Sequence, residues 1–313
     1  MKKLKAMFLC SNPVNIERVY SKAQQQRIAD ICDLKKEIVT PENFDSSDLT
    51  DREVIFSTWG MMKFSDDQLA KMPDLKAVFY GAGATDAFAG PLLKHNIKLV
   101  SAWKANAIPV AEFTVAQIIL SLKNYFSNTW QNRLSGPGAY GETVALLGAG
   151  AISQKVQELL KNFDLNVIVV PSRAERRQIS LEEAFKTAYI VSNHLPNRDD
   201  NKKVITGEMF ESMRHGATFI NTGRGAQVDE EAMLEVLKRR PDLTVLLDVL
   251  VTEPPAEDSP LYRLPNVHLS SHIAGSLNDE LHRMADYVIE DCLRFAKGEP
   301  LVNEVTEELL MTH

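Results

Sequence analysis

Short runs of β-favouring residues alternate with segments of helical period along almost the whole 313-residue chain, the arrangement of parallel sheets covered by helices. In the first third, LKAMFLC, EVIFST, KAVFYG and KLVSA predict strands, separated by amphipathic segments such as SKAQQQRIADI and DDQLAKM. PVAEFTVAQIILSLKNYF then predicts a long helix, with Pro109 suited to its first turn, and the Gly-rich GPGAYGE leads into a second series. That series, TVALLG, NVIVV, YIVSN, ATFINTG, TVLLDV and HLSS, is long enough for a six-strand doubly wound sheet. Its helices, including ISQKVQELLKNF and DEEAMLEVLKRR, are of crossover length. A last helix near Leu277 to Lys297 follows the final strand, and periodicity alone does not assign it to either sheet.

Composition narrows the class. With 44% hydrophobic and 25% charged residues, the chain holds roughly two domains with real cores, which excludes disorder. A net charge of -7 and the lack of a basic block leave no long-range attraction for nucleic acid or an anionic membrane surface. Cys10, Cys32 and Cys292 lack paired spacing, which fits neither a disulfide framework nor a zinc site, so a reducing compartment, the cytoplasm, is expected. No His, Asp, Glu or Cys group has metal-ligand spacing, and no metal is expected. The leading MKKLKAMFLCSNP has too short an apolar run and no cleavage pattern for a signal peptide, and reads as a first strand. No segment is expected to reach the ~18 apolar residues of a membrane span.

VALLGAGAIS places Gly148 and Gly150 directly after an apolar strand and before a helix opening with Ala151 and Ile152. In that context the first glycine makes a tight turn and the second lets backbone N–H groups approach a pyrophosphate, although an ordinary tight turn is the competing reading. Ser153 stands where a third glycine would complete the fingerprint. No carboxylate ends the next strand: NVIVV runs into Pro171, Ser172 and Arg173, then Arg176 and Arg177. A hydroxyl and several cations suit a 2′-phosphate, which favours NADP(H) over NAD(H), against the alternative of a solvated basic turn.

Three segments at strand ends carry further chemistry: NTGRGAQVDE, LLDVLVTEPP and HLSSHIAGS. Ligands of such sheets bind outside the carboxyl ends of the strands, where Arg224, Glu253 and His272 would meet. Here the sequence resembles the D-isomer-specific 2-hydroxyacid dehydrogenases. The matching segments run in order: LKAVFYGAGATD, ANAIPVAEFT, the loop at Gly148, HLPNRDDNKKVI, the Arg-Gly of NTGRG, the Asp-Val and Glu-Pro of DVLVTEP, and His-Ile-Ala-Gly.

The resemblance implies an α/β protein of two doubly wound parallel-sheet domains, usually in a homodimer. One is a Rossmann dinucleotide-binding domain over 106–283; the other is a smaller flavodoxin-like substrate domain made of 1–105 plus 284–313. It implies hydride transfer between NAD(P)H and a small 2-keto or 2-hydroxy acid, as in reductases of glyoxylate or hydroxypyruvate. It gives the nicotinamide carboxamide to Asp248, whose plain alternative is a buried cap or turn acid, further cofactor contacts to Thr222 and Gly275, and the substrate carboxylate to the backbone N–H groups of Gly81, Ala82 and Gly83. The glycine usual in that loop falls at Ala84, while Gly83 takes a place where valine is frequent. PSRAERRQISLEEAF and WQNRLSGPGAY are short beside the family's usual segments, which bears on the adenosine side and on dimer contacts.

The chemistry of the matched residues is consistent with those roles. In reduction the carbonyl oxygen must receive a proton; an imidazole at His272 titrates near neutrality, and a carboxylate at Glu253 orients it. Arg224 supplies a planar fork that holds a carboxylate and polarises the adjacent keto oxygen. Singly, each also fits a plain role: a satisfied histidine, a loop charge, a surface cation. His194 and Pro196, in SNHLPN, read as shaping the strand-end loop beside the cofactor. Trp59 and Trp103 are pocket walls or core. The competing function is a dinucleotide-sensing binding protein, as in related corepressors, which the lack of a basic face or long tail disfavours; formate oxidation would place glutamine at position 253.

Overall fold

The computed structural model describes residues 3–131 and 134–312. Asn132 and Arg133 of the WQNRLSGPGAY segment, the first two residues of the expected amino-terminal strand and the final His313 lie outside the described residues. Contacts divide the chain into two compact units, one ending at Asn106 and resuming over Ser276–Thr312, the other spanning Ala107–Gly275.

The discontinuous unit is built on β1 (Leu4–Phe8), β2 (Cys32–Leu34), β3 (Val54–Ser57), β4 (Ala77–Tyr80) and β5 (Lys98–Ser101). These strands are parallel in the order β2-β1-β3-β4-β5, the flavodoxin-like order, and Glu304–Val305 adds antiparallel to β5. Both faces are covered, so the strands are continuous apolar runs rather than alternating ones. One face carries Phe8, Phe56, Phe79 and Val100 against the helix Asp279–Lys297, whose Leu281, Met284, Val288 and Ile289 are buried there. The other carries Met7, Ile55, Val78 and Leu99.

The continuous unit holds β6 (Glu142–Leu147), β7 (Leu165–Val170), β8 (Ile190–Asn193), β9 (Thr218–Asn221), β10 (Thr244–Leu247) and β11 (Val267–Leu269), all parallel in the order β7-β6-β8-β9-β10-β11. The order reverses at β6, and the ends of β6 and β8 form the switch point where such sheets bind ligands. Phe185, Phe210 and Phe219 pack on one face with centroids 5.0–5.8 Å apart. Ile118, Leu122, Val156 and Leu160 cover the other.

Four expectations change. The carboxyl-terminal return begins at Ser276, not 284, because Leu281 already belongs to the discontinuous unit's core. The long helix spans Trp103–Leu122, so Pro109 sits inside it rather than in its first turn; the unit boundary at Asn106 falls within this helix. Among the described residues that helix is long and apolar enough to cross a membrane, contrary to the sequence expectation, but half of its apolar window is buried, and Ile118 and Leu122 face β6 and β8 in one core. The strands Cys32–Leu34 and Glu304–Val305 were not read from sequence; two or three residues show no period.

Candidate active site

β6 ends at Leu147, and Gly148 follows with φ of +103°, a conformation open to glycine. A Cβ there would stand 2.4 Å from the His194 carbonyl oxygen, so the loop rests directly on the end of β8. Gly150 is the N-cap of the ten-residue helix Ala151–Leu160, and no side chain caps it. The first-turn amides, beginning with Ala151 and Ile152, therefore face outward without a protein cap, which fits a pyrophosphate. Ser153 is fully buried, packing as the small third residue of the fingerprint.

At the end of β7 the cations divide by task. Arg177 donates to the Pro171 oxygen (2.8 Å) and the Ser172 oxygen (2.6 Å), bracing the turn. Arg198, which sequence reasoning missed, comes from the loop after β8: its Nη1 lies 3.5 Å from Ser172 Oγ, while Nε and Nη2 grip Asp200 at 2.8 and 2.7 Å. Only the fold brings residue 198 beside Ser172 and Arg173. His194 is buried, its Nε2 3.0 Å from Ser192 Oγ, and burial pushes its pKa down to about 3, so the ring is neutral and shapes the loop. Pro196 and Leu195 carbonyls are both held by Gln227 Nε2. Thr222 is buried, 3.2 Å from Thr114 through their hydroxyls.

The segments after β9, β10 and β11 bring Arg224, Glu253 and His272 together. His272 Nδ1 lies 2.7 Å from Glu253 Oε2, and Glu253 Oε1 accepts the Leu250 N–H at 2.9 Å. Burial pushes the Glu253 carboxyl up, but the hydrogen bonds from His272 and Leu250 and the charges of His272 and Arg224 outweigh it, so it stays below the usual carboxylate range. Gly225 lets the two loops meet: a Cβ would stand 1.9 Å from the Leu250 carbonyl carbon. Arg224 keeps Nη1 on its neighbour's Gly223 oxygen at 2.8 Å.

Asp248, given to the nicotinamide carboxamide by the resemblance, is held by bonds within the protein. It is 2% exposed; its Oδ1 receives Ser270 Oγ (2.6 Å) and the Ile273 N–H (2.9 Å), and its Oδ2 the Ala274 N–H (3.0 Å). The role this supports is a buried clamp on the segment that carries His272. His272 itself sits at φ of +57°, a costly conformation for a non-glycine residue, with its N–H on the Asp248 carbonyl at 3.0 Å. Gly275 ends this segment at the last residue of the continuous unit before the chain returns to the other unit.

In the discontinuous unit, the loop after β4 needs one correction. The Gly81 N–H is already bonded to the Ser57 oxygen at 2.8 Å, so it offers nothing to a ligand. The Gly81 carbonyl accepts Thr58 Oγ1, while Ser101 Oγ reaches the Ala82 and Gly83 carbonyls at 2.9 and 2.6 Å. These bonds fix the backbone at Ala82 and Gly83. Trp59 is 40% exposed, and no group of three His, Cys, Asp or Glu residues lies together among the described residues.

Residues 114–274 match the family model of the D-isomer specific 2-hydroxyacid dehydrogenase NAD binding domain. The chain is 30% identical over 262 residues to a D-3-phosphoglycerate dehydrogenase of Bacillus subtilis (78% of this chain, 49% of that protein). It is 33% identical over 179 residues to a glyoxylate reductase of Aeropyrum pernix (54% of this chain, 53% of that protein). It therefore spans about half the length of the curated relatives it matches. In fold it is similar to a probable 2-hydroxyacid dehydrogenase of Rhizobium etli in complex with NADP, HEPES and L(+)-tartaric acid (TM-score 0.75, 24% identity, 98% of this chain and 99% of that one).

The Glu253 geometry sets a pH dependence. A carboxyl with a depressed folded pKa contributes stability above its unfolded value, about 4.3, and loses it as pH falls through the folded value. The wild type should therefore exceed Glu253→Gln in urea stability at pH 7, modestly because the carboxylate is 37% exposed, and the gap should close by pH 3. A gap that persists at pH 3 would exclude the charged pair as its source.

Proposed function

The chain belongs to the D-isomer specific 2-hydroxyacid dehydrogenase family, and on that premise we propose that it reduces a small 2-keto acid of the glyoxylate or hydroxypyruvate class, with NADPH preferred over NADH. The observation that carries the reading is the 2.7 Å pair of His272 and Glu253 beside Arg224. The nicotinamide, when bound, supplies the hydride that reaches the carbonyl carbon.

Because Nδ1 faces Glu253, Nε2 is the ring nitrogen left to give its proton to the carbonyl oxygen as negative charge develops there; in the reverse direction the neutral ring takes the hydroxyl proton. Glu253 holds the ring's orientation through Nδ1. Arg224, with one N–H on Gly223, turns its remaining donors to the substrate carboxylate and keto oxygen. The amides of Ala82 and Gly83 carry the same carboxylate-binding chemistry. Ser172, Arg173 and Arg198 supply the hydroxyl and cations for a 2′-phosphate, and that chemistry is what supports NADPH over NADH.

We read the protein as cytoplasmic and as a homodimer. Tyr125, Trp130, Leu134 and Tyr140, each at least 65% exposed on one short stretch, supply apolar surface for a second copy. Light scattering should give twice the 35.0 kDa chain mass; a monomer at micromolar concentration would refute this.

The decisive assay follows absorbance of NADPH or NADH with glyoxylate, hydroxypyruvate, pyruvate and bulkier 2-keto acids. Oxidation is expected, with higher kcat/KM for NADPH; tight cofactor binding without oxidation of any of them would favour a sensing protein. His272→Ala should lower turnover roughly 100-fold or more while leaving cofactor affinity unchanged. Joint loss of both would mark a structural histidine.

A further inference from the structure

Three buried amide side chains lie behind Arg224, and nothing in the proposed chemistry uses them. Asn193 closes β8, Asn221 closes β9 and Gln227 follows the Arg224 turn; none is more than 1% exposed. Asn193 Nδ2 donates to Asn221 Oδ1 (3.0 Å) and to Gln227 Oε1 (2.6 Å), and its Oδ1 accepts the Leu195 N–H (3.1 Å). Gln227 Nε2 reaches the Leu195 and Pro196 oxygens at 2.6 and 2.9 Å. Asn221 completes the chain: Oδ1 accepts the Gly223 N–H at 3.1 Å, and Nδ2 donates to the Arg224 oxygen at 3.2 Å. The network thus ends on backbone groups on both sides of Arg224. Gly223 lies close against it, since a Cβ there would come within 3.0–3.2 Å of the Asn193 oxygen, Asn193 Nδ2 and Gln227 Oε1.

The geometry points to Asn193 and Gln227 as positioning residues that fix the Arg224 fork for carboxylate binding, through Asn221. This rests on the carboxylate role of Arg224 proposed above. Burying amides stabilises a fold no better than apolar packing unless every group is bonded, but a saturated network fixes one geometry. A planar guanidinium needs that fixity, because both of its parallel hydrogen bonds to a carboxylate are lost when the fork tilts.

The two readings of the network, fold support and fork positioning, separate in a paired variant. Asn193→Leu with Gln227→Met leaves Asn221 its bonds to Gly223 and Arg224 but strips the Leu195 N–H and carbonyl of their partners, so stability should fall equally with Arg224 or Lys at position 224, whereas an effect on the fork needs Arg224. Oxalate serves as the carboxylate probe, titrated into the NADH-saturated protein and followed by NADH fluorescence. The variant should bind oxalate about tenfold more weakly. In an Arg224→Lys background the same pair of changes should alter oxalate affinity by less than about twofold, because its effect runs through Arg224.

Unchanged oxalate affinity in the paired variant, or an equal fall in both backgrounds, would overturn the inference. Should the paired variant not fold, Gln227→Met alone carries the same comparison, with the same outcomes. Oxalate binding that depends on Arg224 but not on Asn193 and Gln227 would overturn this inference alone. A wild type that binds NADH but no oxalate would overturn the carboxylate role of Arg224 as well.

Discussion

One buried carboxylate holds the candidate site in place. Asp248 takes three hydrogen bonds from the segment Ser270–Ala274, and its own carbonyl takes a fourth from His272. That grip over-determines the backbone around a residue held at positive φ, which would otherwise relax. From there the constraint passes along contacts: His272 to Glu253, Glu253 to the Leu250 N–H, and the Leu250 backbone to Gly225 next to Arg224. No member of this chain is free to move without its neighbour. Precision of this kind comes from a supporting layer whose polar groups are satisfied, not from the reactive side chains themselves.

Two of this unit's histidines, His194 and His272, show how environment divides their work. His194, enclosed at the end of β8, loses water and so loses its charged form; it contributes shape to the loop beneath Gly148. His272 is half exposed, with a carboxylate on one ring nitrogen and the other left over. A proton carrier needs both a partner that tolerates its charge and a route to the reacting atom, and only the second histidine has them.

Much of this was legible in the sequence wherever a signal was local. The long apolar runs of β4, β6 and β10 announce buried parallel strands, and Gly148 with Gly150 between strand and helix announces the cradle. Arg224, Glu253 and His272 stand out as an ordered set. What stayed hidden depends on neighbours far along the chain. Nothing in PNRDD says that Arg198 meets Ser172, nor in YIVSN that Asn193 meets Gln227. The Gly81 amide looks available until the pairing of β3 with β4 places the Ser57 carbonyl opposite it. The start of the long helix is not legible, because Pro109 reads as a first-turn marker whereas the helix accepts it within its body.

The route of the chain through its two cores has a consequence for how the molecule is made. The core of the continuous unit is complete once residue 275 has been added, but the sheet bearing Phe8, Phe56 and Phe79 lacks its cover until the helix Asp279–Lys297 arrives. Gln24 and Arg27, which bond to Asp286, likewise wait for a partner more than 250 positions downstream. During synthesis β1, β3 and β4 are therefore sealed only after the continuous unit has been made, and an aromatic sheet face stays open while that unit is already folding. The interval of greatest exposure to aggregation falls between the making of β4 and the arrival of the helix Asp279–Lys297.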